Sequence, residues 1–496
     1  MPSGTLAALT ERPAAATRIT GNVTQTLDTL IAASARETPE RPALAADPPA
    51  TAFELERRVR EFSDGLRALG VHGGRIGLLL PNVPAFPTAF YGALRAGCGT
   101  VLLNPLLSQR EMGEYLADSR ARGVVTIEAM EHLVPNGVAK LCVDAADGAI
   151  ETGFDAAPLE TTNDGPLPRG DREAVVIYTS AMDGWARGAR LTHVNLMSNL
   201  RATIEAMQMT TDDCVLGLLP WVHAFGLTAT LNAPLVAGSR VVPFERFNPL
   251  RVLAALEETG ATVLCGVPAT FVALISAAER QGVPAHKLRV AVCGGAPLRA
   301  EVARRWEETF GIPLREGYGI TECGPVCLFN RVDRPNRPGT LGYPFPGVEV
   351  TVRGPRGEDV PHGQTGEICV EGANVFPGYV GESGRPAEHF WDNAFRTGDL
   401  GCVEGDGALR FRGVKKRMFT RGGFNVYPAE VERALRGDPR IAEASVTSAP
   451  DPLRENEIVV TVTPAAGAEL DEAIVRQICR ERLASYKQPG VVVIES

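Results

Sequence analysis

Apolar positions along the chain follow two rhythms. From Phe53 to Leu69 they recur at helical spacing and stop at Gly70 and the Gly73-Gly74 pair, which predicts an amphipathic helix with a sharp end. Short continuous apolar runs then alternate with helix-length segments. Strands are expected at Ile76 to Leu80, Val101 to Leu103 and Gly123 to Ile127, with helices at Ala85 to Ala96 and Ser108 to Asp118 between them. A Pro- and Asp-rich connector at 161–171 interrupts the pattern, which resumes with a strand at Ala174 to Tyr178 and a helix at His193 to Ala206. Val241-Val242, Ala261 to Cys265 and Val290 to Cys293 read as further strands, with helices at Pro249 to Thr259, Ala269 to Ala278 and Arg299 to Phe310. Continuously apolar strands separated by helices indicate parallel sheets covered on both faces. From Pro338 the rhythm changes to short strands between Gly and Pro turns, and after Gly413 a basic stretch opens a compact α+β tail. The predicted class is α/β. A flexible tail (1–20) precedes a large N-terminal domain (21–413) of two layered α/β subdomains, about 21–170 and 171–335, and a small β-barrel at about 336–413. A small mobile α+β C-terminal domain (414–496) follows.

Composition narrows the function classes. A chain of 496 residues exceeds one compact core. Its net charge of −9 argues against nucleic acid as a partner, which would favour a basic face, and no apolar run approaches the ~20 residues of a membrane span. The first twenty residues lack the apolar core of a secretory signal, so a cytoplasmic location is expected. Ten cysteines, none in a C-x-x-C pair, sit mostly in apolar segments and read as buried reduced thiols. No metal site is expected at Cys323 and Cys327, which lack nearby histidines. Only five of the 50 Lys and Arg residues are lysines (Lys140, Lys287, Lys415, Lys416 and Lys487), so any lysine-dependent chemistry has few places to reside. With abundant Ala and Gly, that bias suggests a GC-rich bacterial source.

Residues 178 to 193 read Tyr-Thr-Ser-Ala-Met-Asp-Gly-Trp-Ala-Arg-Gly-Ala-Arg-Leu-Thr-His. The stretch resembles the phosphate loop of the adenylate-forming enzymes, the superfamily of acyl-CoA synthetases, peptide-synthetase adenylation domains and luciferases. That loop usually reads Tyr-Thr-Ser-Gly-Thr-Thr-Gly-x-Pro-Lys-Gly. Both ends match; Ala181, Met182 and Asp183 replace Gly-Thr-Thr, and Ala186-Arg187 replaces Pro-Lys. A phosphate cradle uses small residues, free N–H groups, hydroxyl donors and a cation. Met182 and Asp183 remove two hydroxyls, and Asp183 adds a charge that costs up to ~4 kcal/mol against a phosphate oxygen ~4 Å away at an effective dielectric of about 20.

Five further segments resemble the same superfamily, in family order. They are Leu219-Pro220-Trp221-Val222-His223-Ala224-Phe225-Gly226, Gly294-Gly295-Ala296-Pro297-Leu298, Gly317-Tyr318-Gly319-Ile320-Thr321-Glu322, Arg396-Thr397-Gly398-Asp399 and Gly413 to Glu432. The resemblance implies that Thr179, Ser180, Gly184, Gly294, Gly295, Ala296, Tyr318, Gly319, Ile320, Thr321 and Asp399 contact ATP or AMP. It implies Glu322 as the Mg2+ ligand, and His223, Thr321, Glu322 and Arg187 as the groups at the chemistry. The acyl pocket would involve His223, Phe225, Gly226, Val267 and Gly319, and the hinge and thiol tunnel Lys416, Gly422 and Gly423. A π-face for adenine, a hydroxyl for phosphate and a hard carboxylate oxygen for magnesium each suit the residue type present.

The closest wording is that of bacterial fatty acyl-CoA synthetases. Val414 stands where the family's hinge arginine is expected, and the C-terminal domain is expected to be shorter than usual, ending before the family's Gly-Lys lysine. Lys487 matches an earlier, non-catalytic position. Three readings follow. One is an AMP-forming ligase joining an aliphatic or aromatic carboxylic acid to the thiol of CoA, or to the phosphopantetheine of an acyl carrier protein, with impaired or altered adenylation. A second is an ATP-independent acyltransferase or condensing enzyme using an activated acyl thioester, and a third is a non-catalytic nucleotide- or acyl-binding protein.

Overall fold

A computed structural model describes residues 19, 25–155, 172–180, 185–382, 385–415, 417–451 and 454–495. The expected 1–20 tail, apart from Ile19, and the whole of the 161–171 connector lie outside them.

Two mainly parallel sheets form the large domain. One has seven strands in the order Ile150–Thr152, Lys140–Val143, Ala121–Thr126, Arg75–Leu79, Gly99–Leu102, Glu173–Ser180 and Ala186–Thr192. The other has nine, running from Tyr343–Pro344 through Val326–Phe329, Leu314–Gly319, Val290–Cys293, Val263–Gly266, Cys214–Gly217 and Arg240–Pro243 to Pro42–Leu44 and Ala50–Thr51. The sheets therefore do not divide at 170/171. Glu173–Ser180 hydrogen-bonds in parallel to Gly99–Leu102, while Pro42–Leu44 crosses over to pair with Arg240–Pro243. Parallel pairing needs only a buried apolar neighbour, and both partners supply one across a long connection.

Helix ends follow local chemistry. Thr51 and Glu54 form a capping box on Ala52–Ala68, and Ser108 and Glu111 form one on Gln109–Ser119. Each cap satisfies orphan N–H groups and contributes about 1 kcal/mol. His193–Met207 starts on a third box, Thr192 with Asn195.

Three elements differ from the sequence pattern. Ala186–Thr192 is a strand pairing antiparallel with Glu173–Ser180, with Thr179 opposite Arg187. Cys214–Gly217 is a fully buried central strand whose four-residue run is too short to show a period. The β unit is a five-stranded antiparallel sheet, and among the described residues no pairing closes it into a barrel; its outermost strand, Phe390–Trp391, is two residues long.

The C-terminal α+β unit carries its own core around Val431, Val446, Val460 and Ile478. It docks on the large domain through a buried ion cluster. The Lys487 ammonium, 0% exposed, donates to Glu430 Oε1 at 2.6 Å and to Glu111 Oε1 at 2.8 Å, on the capped helix of the large domain. Beside it Tyr486 stacks on Phe424 (centroids 4.5 Å), and Phe424 meets the His223 ring edge-on at 5.8 Å. These contacts bring Gly422 and Gly423 to the mouth of a central cavity.

Candidate active site

The cavity has a volume of about 800 Å3 and lies where the nine-stranded sheet, the β unit and the C-terminal domain meet. Its apolar part is lined by Met207, Ala229, Val292, Val326 and Phe329. Thr203 also lines it, its hydroxyl donating to the Asn199 carbonyl. The strand Leu314–Gly319 ends against this pocket, and Gly319 has no space for a side chain: a Cβ would stand 2.0 Å from the Pro325 carbonyl oxygen.

Sequence-predicted residues converge here. Thr179, Arg187, His223, Phe225, Gly226, Val267, Gly294, Gly295, Tyr318, Gly319, Ile320, Thr321, Glu322, Gly422 and Gly423 all line the one cavity. Ala296 does not. Asp399 stands behind the wall, where its Oδ2 accepts from the Tyr318 hydroxyl at 2.7 Å. Residues 181–184, Gly184 among them, Lys416 and the side chain of Ser180 lie outside the described residues.

Neutral donors hold the carboxylates of the wall. Glu322, 9% exposed, accepts at Oε1 from the Thr179 hydroxyl (3.1 Å) and the Tyr379 hydroxyl (2.9 Å). Burial, reinforced by the adjacent carboxylates, pushes the Tyr318 and Tyr379 phenols well above their ordinary pKa, so both stay protonated and donate. Glu322 is thus oriented by two neutral hydroxyls, and its hard carboxylate oxygens line the cavity, a donor type that fits a Mg2+ ligand. His223 has open ring surface, yet that surface faces the cavity interior; burial among protein groups lowers its pKa and favours neutral imidazole.

Cations hold the carboxylates of the rim. Glu367, 3% exposed, takes Lys415 Nζ at 2.8 Å, an Arg396 guanidinium nitrogen at 3.4 Å and the Gly398 N–H at 3.1 Å. Arg187 lies 3.4 Å from Glu382 Oε1 and 3.3 Å from His389 Nε2, its guanidinium 5.7 Å from the centre of the Tyr379 ring. Tyr379, Glu367, Glu382 and His389 carry no motif signal. They reach the site only because the β unit packs against the phosphate-loop hairpin, where Ala189 bridges Tyr379.

A family model described as AMP-binding enzyme matches residues 31–380, and one described as AMP-binding enzyme C-terminal domain matches 430–495. The chain is 36% identical over 447 residues to a feruloyl-CoA synthase of Amycolatopsis sp, covering 89% of each chain. It is 31% identical over 485 residues to a long-chain-fatty-acid–CoA ligase of Yersinia pestis, covering 88% of this chain and 85% of that one. Among solved structures, a malonyl-CoA ligase with methylmalonyl-CoA and AMP bound superposes with a TM-score of 0.79 at 29% identity, covering 92% of this chain and 96% of the other. The expected superfamily, the mixed α/β architecture and the smaller C-terminal domain are thus borne out. The chain belongs to the AMP-binding enzyme family of adenylate-forming proteins and is an acyl-CoA-synthetase-like, AMP-forming ligase.

Proposed function

We propose that this ligase activates an uncharged aliphatic or arylalkenoic acid with ATP and passes the acyl group to CoA, with adenylation the slower half-reaction. The observation that carries the reading is the continuity of the cavity. One space joins an apolar pocket, the Tyr318–Glu322 segment and the Gly422–Gly423 approach under the C-terminal domain. Met207, Ala229, Val292, Val326 and Phe329 give part of the cavity an apolar lining, which suits an acyl chain whose carboxylate is its one obligatory charge. The feruloyl and fatty-acyl relatives fit that description.

In this reading Tyr318 and the Gly294-Gly295 backbone hold adenine, Asp399 orients the ribose, and Thr321 donates to the α-phosphate. Glu322 would hold Mg2+, which supplies charge neutralisation to the phosphates when bound. Neutral His223 positions the carboxylate for attack on the α-phosphorus; pyrophosphate departs with the P–O bond electrons. The CoA thiol, arriving past Gly423, then attacks the acyl carbon, releases AMP and loses its proton. Holding both reactants in one space converts two bimolecular steps into positioned ones. Slow adenylation is supported by Met182 and Asp183 in the loop and by Arg187 being engaged by Glu382.

Incubation with ATP, Mg2+, CoA and a panel of fatty and cinnamic acids is expected to release pyrophosphate and AMP in equal amounts with acyl-CoA. Absence of acid-dependent pyrophosphate release across the panel defeats the proposal. The neutralised state of both Arg187 and Lys415 favours one alternative, acyl transfer from a preformed thioester without ATP. Thioester consumption with nucleotide absent is its signature.

A further inference from the structure

Arg187 is the cation within the phosphate-loop stretch, and the strand carrying it places it opposite Thr179, whose hydroxyl binds Glu322. The phosphate end of the cavity therefore lies between Glu322 and Arg187. In the sequence of that loop, Met182 and Asp183 supply no hydroxyl and one negative charge. Two of the hydroxyl donors usual in such a loop are therefore missing from its sequence.

One further side chain stands ready. His389 lines the same cavity, with Nε2 3.3 Å from Arg187 and 3.5 Å from Glu382 Oε1, and its ring packs edge-on against Tyr379 at 5.5 Å. Glu382 Oε1 thus faces both nitrogens, while Oε2 accepts from the Tyr379 N–H at 3.0 Å. A carboxylate gathering a guanidinium and an imidazole around one oxygen imitates what a phosphate oxygen asks of the same two groups.

We infer that Arg187 and His389 form a two-pronged clamp for the β- and γ-phosphates of ATP, and that Glu382 is the built-in anion that keeps the clamp assembled and competes with nucleotide for it. The inference rests on the ATP-dependent reading of the site. Glu382, Glu388 and His389 also cluster as three potential ligand atoms within 4.8 Å of one another. Arg187, in contact with Glu382 and His389, supplies the positive charge that a metal ion there would bring, which favours an anion-exchange site.

Binding of ATP and of AMP, measured calorimetrically with Mg2+ present, tests this. AMP has no β- or γ-phosphate and serves as the internal control. His389→Ala should weaken ATP about tenfold, the size of one charge-assisted hydrogen bond, and leave AMP unchanged, with His389→Gln recovering part of the loss. Glu382→Gln should do the reverse and tighten ATP several-fold. A purely structural role predicts losses of both nucleotides in both variants, and that outcome overturns the clamp. So does wild-type protein that binds ATP no tighter than AMP, or Mg2+ binding without nucleotide that His389→Ala abolishes. If the opposed shifts appear but no acid ever elicits pyrophosphate release, the clamp stands and the proposed reaction fails.

Discussion

The wall and the rim of the cavity hold their carboxylates by opposite means. On the wall, hydroxyl groups do it: Thr179 and Tyr379 on Glu322, Tyr318 on Asp399. On the rim cations do it: Arg187 on Glu382, Lys415 on Glu367, and, at the docking surface, Lys487 on Glu111 and Glu430. A hydroxyl orients a carboxylate without cancelling its charge. A cation cancels that charge and ties two segments together, strongly only where water is excluded. In the proposed reading the wall carboxylates serve ligands directly, whereas the rim and docking-surface carboxylates hold cationic side chains of the protein in place.

The sharpest way to break this contrast is Lys487→Met. It leaves two buried carboxylates facing each other without a cation, at a cost of about 3–5 kcal/mol. A large drop in the thermal midpoint of the C-terminal unit is expected, with loss of CoA transfer. On the wall, Glu322→Gln keeps the shape and removes the charge, so folding should be nearly unaffected. Acid-dependent pyrophosphate release should nevertheless fall roughly 10²–10³-fold, as for loss of a metal ligand. A variant that unfolds, or one that keeps its rate, contradicts the assignment of Glu322 to ligand binding.

Glu316, buried on the strand Leu314–Gly319 that also carries Tyr318, gives a test by pH. Burial raises its pKa from 4.5 to about 7, with the Gly339 N–H opposing the shift. The folded state then keeps a proton that the unfolded state has already released, so stability falls as pH rises from about 4.5 to 7. Unfolding free energies from urea titration at pH 5 and 7.5 should show a loss of about 2 kcal/mol, which Glu316→Gln removes. The smallest expected effect is at Gly423, whose φ of +81° and 2.7 Å Cβ approach to Val267 leave no space for a methyl group. Gly423→Ala should slow CoA transfer from a supplied acyl-adenylate about tenfold while sparing adenylation, because ~1–2 kcal/mol of local strain falls on the thiol approach alone.

Much of the wall was legible in the chain and little of the rim. Tyr318, Thr321, Glu322 and Asp399 sit in contiguous segments, where one run of backbone sets several ligand contacts and the order of residue types carries the signal. Glu367 acts from a strand of the β unit, and Tyr379, Glu382 and His389 from the connection between its strands Gly366–Gly372 and Phe390–Trp391; their place beside the phosphate-loop hairpin is a tertiary event, and each is an ordinary residue locally. Lys487 shows the limit most plainly. Its sequence context gave it no role, yet it is the only lysine with its ammonium fully buried among the described residues, and its partner Glu111 is 376 positions away. The fold class followed from alternating apolar runs, whereas the crossing of Pro42–Leu44 into the second sheet left no trace in those runs.

The most direct measurement compares the two half-reactions on one substrate. Acyl-CoA formation is followed from a synthetic acyl-adenylate plus CoA, and separately from the free acid plus ATP, Mg2+ and CoA. Product is expected from both, with the acyl-adenylate route faster, and AMP appearing in step with acyl-CoA when ATP is the source. Acyl-CoA formed from neither, or acyl thioesters turned over with no nucleotide required, would contradict the proposed reaction.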